Sequence, residues 1–298
     1  ATGTDYMEFG YRADKKQFDV NKFGKWKFAE DEDIRAIVGD NNTDLKIAVM
    51  ADVGRCNYKE DIHDKAESPI DLIRVATYLN TIPAAADMIE DAVNKGYQAT
   101  CNIMAISNAQ ESDLKVALDI LGKTPVEVFY IVDSFGALYP EQIARIADIY
   151  MEAATKYGKK IGIHAHNNQQ LAFANTIEAV GDGVDWLDAT YASMGRGAGN
   201  CAMELLLGFL RNPKYDVYPA IRFIEKHMTK LKEDIIESAL GEKEFSYEKI
   251  IFGGDCLSVS SVCSVFIRLD KAFDCPSGDT LDGSGTLLLL SQVDRGTV

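Results

Sequence analysis

The sequence places two histidines one residue apart in "KKIGIHAHNNQQLAFANT", residues 159–176, and the whole chain contains only four. Neutral imidazole is a common ligand for divalent cations. In an extended segment side chains alternate faces. Gly162, His164 and His166 therefore share one face of "KIGIHAH", and Ile161, Ile163 and Ala165 share the other. Two imidazoles on one strand face suit a single cation; a hydrogen-bonded interior pair is the competing reading. The segment "YASMGRGAGN" adds a second feature, in which Gly195, Gly197 and Gly199 precede Asn200. Glycines permit tight backbone approach, so the amide oxygen of Asn200 could join the same cation. A plain turn and a dinucleotide loop are the alternatives. The second is disfavoured because the spacing is GxGxG and no suitably placed acidic residue follows.

Other polar residues stand at strand ends. Asp133 and Ser134 close "VEVFYIVDS" and fit either substrate contact or the capping of a following helix. Asn102 lies in "QATCNIMAI" beside Met104, for which packing is the plainer reading. Arg74, inside the apolar run "LIRVATYL", requires an acidic partner or a substrate if it is buried. Glu8, Tyr11 and Arg12 belong to the first strand-like run, where structural and site roles are balanced. Asn167 and Asn168 fit ligand orientation or a helix cap. His227 reads as a packing or surface residue.

These positions depend on the elements that carry them. Seven β-rich runs alternate with helical patterns: residues 5–11, 45–52, 72–79, 98–106, 126–134, 160–166 and 185–193. Several are nearly continuous in apolar residues, as in parallel strands covered on both faces. Pro140 suits a first helical turn and Gly158 the position after a helix, with Ile143, Ile146, Tyr150 and Tyr157 forming one stripe. In the helix before Gly96, Met88, Ala92 and Lys95 repeat the pattern. The regular alternation predicts a (β/α)8 barrel with one strand missing. In such a barrel the histidines face inward, near the strand end where active sites form.

Composition narrows the function. The formal net charge is −15, which argues against a nucleic-acid partner, because such binding rests on Lys and Arg neutralising phosphates. Six scattered cysteines without a CxxC pair read as reduced thiols of a cytoplasmic protein. The sequence has neither a signal-like start nor an 18-residue apolar run, so membrane spanning is not expected.

The stretch "GIHAHNNQQLAFANTIEAVGDGVDWLDATYASMGRGAGN", with "DSFGALYPEQI" and "NIMAIS", resembles the DRE-type TIM-barrel metal-dependent lyases and aldolases, which include 3-hydroxy-3-methylglutaryl-CoA lyase. The short "GRGAGN" turn is most similar to the 4-hydroxy-2-oxovalerate aldolase branch. The likeness covers roughly residues 5–212. It implies a barrel in which His164, His166 and Asn200 hold or adjoin Mn²⁺ or Mg²⁺; Arg74, Asn102, Asp133 and Ser134 are the candidates to face substrate. It further implies cleavage of a 4-hydroxy-2-oxo acid to pyruvate and an aldehyde, and a homo-oligomer or an aldehyde dehydrogenase partner.

In the resembled family an Arg-Asp pair on strand one completes the shell. No such strand precedes "DYMEFGY" here, so residues 1–212 are expected to form a truncated catalytic barrel of low activity. Residues 213–245 read as a helical extension and 246–298 as an atypical tail. Within that tail "TLLLLSQVDRG" is a candidate to enter the open seam. The rival readings are an impaired barrel acting as a metal-binding or assembly protein, and a related acyl-CoA lyase or condensing enzyme.

Overall fold

The computed structural model describes residues 1–229 and the backbone of residues 264–268. Among them, β1 (Tyr6–Tyr11) leads to α1 (Asp31–Val38), and β2 (Lys46–Asp52) to the short α2 (Tyr58–Asp61). The pairs β3 (Leu72–Thr77) with α3 (Ile82–Asn94), β4 (Gln98–Ile103) with α4 (Glu111–Gly122), and β5 (Val128–Asp133) with α5 (Pro140–Tyr157) follow. Then come β6 (Lys160–Ala165), α6 (Ala172–Gly181), β7 (Trp186–Thr190), α7 (Met203–Phe209) and α8 (Tyr218–Phe223), which continues through a π turn to Met228.

β1 to β7 pair in sequence order, each parallel to the next. Between β7 and β1 lies β8 (Ser264–Arg268), antiparallel to both, and the ring is closed. Seven parallel strands agree with the expected barrel lacking one strand. The sequence reading placed no strand at 264–268. Its candidate for the seam, "TLLLLSQVDRG", lies outside the described residues, as does most of the 246–298 tail. Closure by a short VFI-containing segment satisfies backbone groups that the edges of β1 and β7 would otherwise expose.

The alternation of each strand sorts its side chains into two layers. Ile47, Val49, Ile73, Val75, Phe129, Ile131, Ile161, Ile163 and Leu187 pack outward against the helices. Tyr6, Ala48, Leu72, Val128, Tyr130, Val132 and Trp186 fill the inside of the ring. At the floor, the Tyr6 and Trp186 rings stand 4.8 Å apart. Helix ends follow the expected chemistry: Pro140 opens α5, and Gly158 closes it at φ 65°, where a glycine is unstrained. Ile143 and Tyr150 are fully buried on the predicted stripe. No helix among the described residues is long and apolar enough to cross a membrane.

Candidate active site

The inner face of β6 carries His164 above Gly162, whose lack of a side chain makes room for Tyr130. A Cβ there would fall 2.5 Å from the Tyr130 ring. His164 Nδ1 lies 2.8 Å from Asp188 Oδ2 on β7. Because a carboxylate only accepts, Nδ1 carries the bonded proton, and Nε2 is the ring nitrogen left for another partner. The same Asp188 oxygen accepts from Arg74 Nη2 at 2.6 Å, while Arg74 Nη1 donates to Glu8 Oε2 at 2.8 Å. Arg74 is completely buried, and its guanidinium lies 4.6 Å from the Tyr130 ring centre. The sequence reading required an acidic partner or a substrate for Arg74, and the fold supplies two carboxylates. Burial would lower its pKa, but Asp188 and Glu8 outweigh that and raise it. Glu8 moves upward, because burial outweighs the attraction of Arg74.

One step above, His166 follows β6 and meets Asn200 in an isolated antiparallel bridge. The two imidazole rings have centres 5.0 Å apart and are nearly perpendicular. Burial first, then the charges of His164 and Arg196, push the His166 pKa down to about 3. It is therefore a neutral imidazole at neutral pH, the state a metal ligand requires.

The turn after β7 is shaped by its glycines. A Cβ at Gly195 would lie 2.6 Å from the Asn200 amide, and one at Gly199, where φ is 95°, would lie 1.9 Å from the Ser193 carbonyl oxygen. Asn200 is thereby folded under its own turn. Its backbone N–H donates to Ser193 and its Nδ2 to the Met194 carbonyl. Its Oδ1 is buried and accepts no hydrogen bond among the described residues. A buried acceptor without a donor is costly, and a cation would satisfy it.

Asp133 and Ser134 stand at the same mouth but are occupied by backbone. Asp133 is fully buried and accepts from the N–H groups of Ala137 and Leu138, which shapes the entry to α5. Burial raises its pKa while these N–H groups oppose the rise. Ser134 Oγ accepts from Ala105 N at 2.8 Å and ties β5 to the loop after β4. Asn102 is buried and accepts from Thr100 Oγ1. Asn167 Oδ1 accepts from Ala172 N and caps α6, one of the two roles expected for it.

Two residues important here escaped the sequence reading. Asp188 shares the inner face of "VDWLDATYA" with Trp186, and a lone acid on that face was the available signal. Arg196, inside the glycine turn, reaches Ser134 O at 2.9 Å; nothing local marks it. Arg12 leaves the ring altogether and pairs with buried Asp31. A cavity of about 200 Å³ lies there, lined by Arg12, Lys15, Glu60, Asp61 and His63 among others. The described cysteines Cys56, Cys101 and Cys201 are buried, and burial raises each thiol pKa, so they are poor nucleophiles.

The model of the HMGL-like family matches residues 2–230. The chain belongs to the HMGL-like family. Among its curated relatives, the 4-hydroxy-2-oxovalerate aldolase of Thermus thermophilus is 32% identical over 54% of this chain and 47% of its own. The oxaloacetate decarboxylase of Mycobacterium tuberculosis is 32% identical over 50% of this chain and 43% of its own. The chain thus spans about half the length of the curated relatives it matches. In fold, it is similar to the N-terminal domain of a protein assigned as an aldolase from Bacteroides vulgatus, with TM-score 0.62, 29% identity, and coverage of 77% and 76% of the two chains. The carboxyl transferase domain of Rhizobium etli pyruvate carboxylase has the same fold at TM-score 0.54 and 18% identity, over 70% of this chain and 38% of that one.

Proposed function

We propose that this HMGL-like barrel is a divalent-metal-dependent carbon–carbon lyase that cleaves a 2-oxo acid and leaves pyruvate. The observation that carries the reading is the convergence of two imidazoles and the undonated Asn200 Oδ1 at the C-terminal end of neighbouring strands. His164, His166 and Asn200 would hold the ion. Among the described residues no group of three or more His, Cys, Asp or Glu side chains is arranged to hold a metal ion, and none of the three proposed donors is an acid. Such a set leaves a cation's charge uncompensated, and binding should be weak. A bound Mn²⁺ or Mg²⁺ would supply Lewis-acid polarisation of the 2-oxo carbonyl. Mixed N/O donors favour these ions over soft ones.

The chain's own residues prepare the site. Asp188 fixes the tautomer and direction of His164, as carboxylates behind metal-ligating histidines do. Arg74 anchors Asp188 in turn, which holds the carboxylate in place. Burial keeps His166 unprotonated. Asn102, Asp133 and Ser134 line the same end of the ring; the last two hold the loops that border a substrate.

The names of the relatives point to one bond. Both a 4-hydroxy-2-oxo acid and oxaloacetate lose the C3–C4 bond next to the activated carbonyl, and the bonding pair remains on C3 of the pyruvate fragment. For the hydroxy acid, a base must also take the 4-hydroxyl proton as the aldehyde forms. We favour the 4-hydroxy-2-oxo acid, because the glycine turn is most similar to that branch. An aldehyde-consuming partner and self-association belong to the same reading.

The test is pyruvate release from 4-hydroxy-2-oxovalerate and from oxaloacetate, above the uncatalysed background, with and without Mn²⁺. Pyruvate formation should require the ion and vanish in His164→Ala. Mn²⁺ should also broaden the NMR signals of His164 and His166 together. Broadening of His63 or His227 instead, or unchanged binding in His164→Ala, would overturn the proposal.

A further inference from the structure

The geometry points to Arg196 as the residue that binds the carboxylate of the substrate, an inference that rests on the 2-oxo acid reading above. Arg196 leaves the turn after β7 and donates from Nη2 to the Ser134 carbonyl at the end of β5. β6 lies between these two strands. The arginine side chain therefore passes over the end of β6, where His166 begins the loop. The turn is held in that place from both sides: Asn167 N donates to Gly199 O at 2.8 Å, and Gly199 N donates to Arg196 O at 3.1 Å.

The other cations near this end of the ring are committed elsewhere. Arg74 is buried between two carboxylates below the histidines. Lys27 lies over the rings of Tyr11 and Phe18. Arg55 faces Asp52 at 3.8 Å. Arg196 is exposed, and among the described residues its hydrogen bonding is a single donation to a neutral carbonyl. A guanidinium has five N–H donors in a planar fork that matches a carboxylate. An exposed guanidinium at the rim adds charge and directional donors for a carboxylate. The glycines on either side of Arg196 contribute no competing side chain.

Pyruvate binding in the presence of Mn²⁺, measured by calorimetry on the 298-residue chain, tests the assignment, with pyruvamide as the neutral probe. Arg196→Gln should weaken pyruvate binding roughly 10- to 100-fold, the span expected for losing hydrogen bonds to a charged group. Mn²⁺ affinity, read by electron paramagnetic resonance, should be unchanged. Arg196→Lys should recover part of the loss. The parent should prefer pyruvate to pyruvamide, and Arg196→Gln should lose that preference. If Arg196→Gln keeps Mn²⁺ and binds pyruvate as the parent does, the assignment is wrong while the proposed function stands. If the variant loses Mn²⁺ and melts early, Arg196 is a staple for its turn and the assignment falls. If the parent binds Mn²⁺ but no pyruvate, both readings fail together.

Discussion

Two arginine–aspartate–histidine chains occur in this molecule, and only one is built like a site. Arg74, Asp188 and His164 lie inside the ring, with side-chain exposures of 1%, 1% and 14%. Arg12, Asp31 and His63 lie outside it, between the loop after β1 and α1, with exposures of 3%, 8% and 53%. In the outer chain His63 stands 3.4 Å from Asp31, and Ser68 completes that carboxylate's shell. In the inner chain the histidine is held at 2.8 Å and meets a second imidazole and an undonated amide oxygen. The shared chain orients an imidazole. What distinguishes the inner one is a second imidazole and a buried amide oxygen that accepts no hydrogen bond among the described residues.

The largest separation should come from cutting each chain at its acid. Asp188→Asn removes a charge from a fully buried pair and should cost about 3–5 kcal/mol in urea unfolding. Asp31→Asn should cost less, about 1–3 kcal/mol, because the 200 Å³ cavity beside Arg12 can admit water. Equal losses would break the distinction between the two regions.

A glycine pair gives the next effect. Gly199→Ala forces a Cβ against the Ser193 carbonyl oxygen, whereas Gly54, near Arg55, has φ 79° but open space around its Cβ position. The first should destabilise by roughly 1–3 kcal/mol and weaken Mn²⁺ binding. The second should cost about 1 kcal/mol or less and leave Mn²⁺ binding intact. Matched melting shifts would show that the turn is not built around Asn200.

The pH response is smaller. His166 has a folded pKa of about 3, below the usual value of about 6.5. Its contribution to stability is therefore present above about pH 6.5 and is lost as pH falls toward 3. Its NMR shift should stay flat from pH 8 to about 4, and His166→Asn should show a shallower loss of stability over the acid range. A titration midpoint near 6 would contradict the burial of this imidazole.

The smallest expected effect lies far from either chain. Asp182, at the end of α6, has its pKa raised to about 6 by burial, then by Glu178 and Asp148. A raised carboxylate favours the protonated fold, so stability falls as pH rises from about 4 to 6. Asp182→Asn should raise the melting temperature at pH 7 by a degree or two and leave it unchanged at pH 4, in keeping with a half-buried acidic cluster near the surface.

The seven parallel strands were legible because each is a short β-rich run between turn residues. The inward direction of His164 followed from alternation alone. The same alternation on β7 places Asp188 beside Trp186, yet a single acid in a short strand carries no local sign of its partners. Arg74 announced a need for countercharge, but Glu8 and Asp188 lie 66 and 114 residues away along the chain. Arg196 sits in a turn whose glycines were visible while its reach across β6 was not. β8, no shorter than β7, was missed because the Ser- and Gly-rich sequence around it breaks the strand–helix alternation that marks the others.

The antiparallel β8 also bears on the order of events during synthesis. β1 emerges first, yet one of its two neighbours lies beyond residue 260. The ring can curl progressively as β2 to β7 appear, each adding to the strand before it, but the seam stays open until Ser264–Arg268 leaves the ribosome. Through that interval the edges of β1 and β7 present unpaired backbone groups to any neighbouring chain. Pairing between distant parts of a chain is slow, and partly closed sheets are where aggregation begins. Emergence of Ser264–Arg268 is thus the step at which a nascent chain changes from a sticky open sheet to a closed ring.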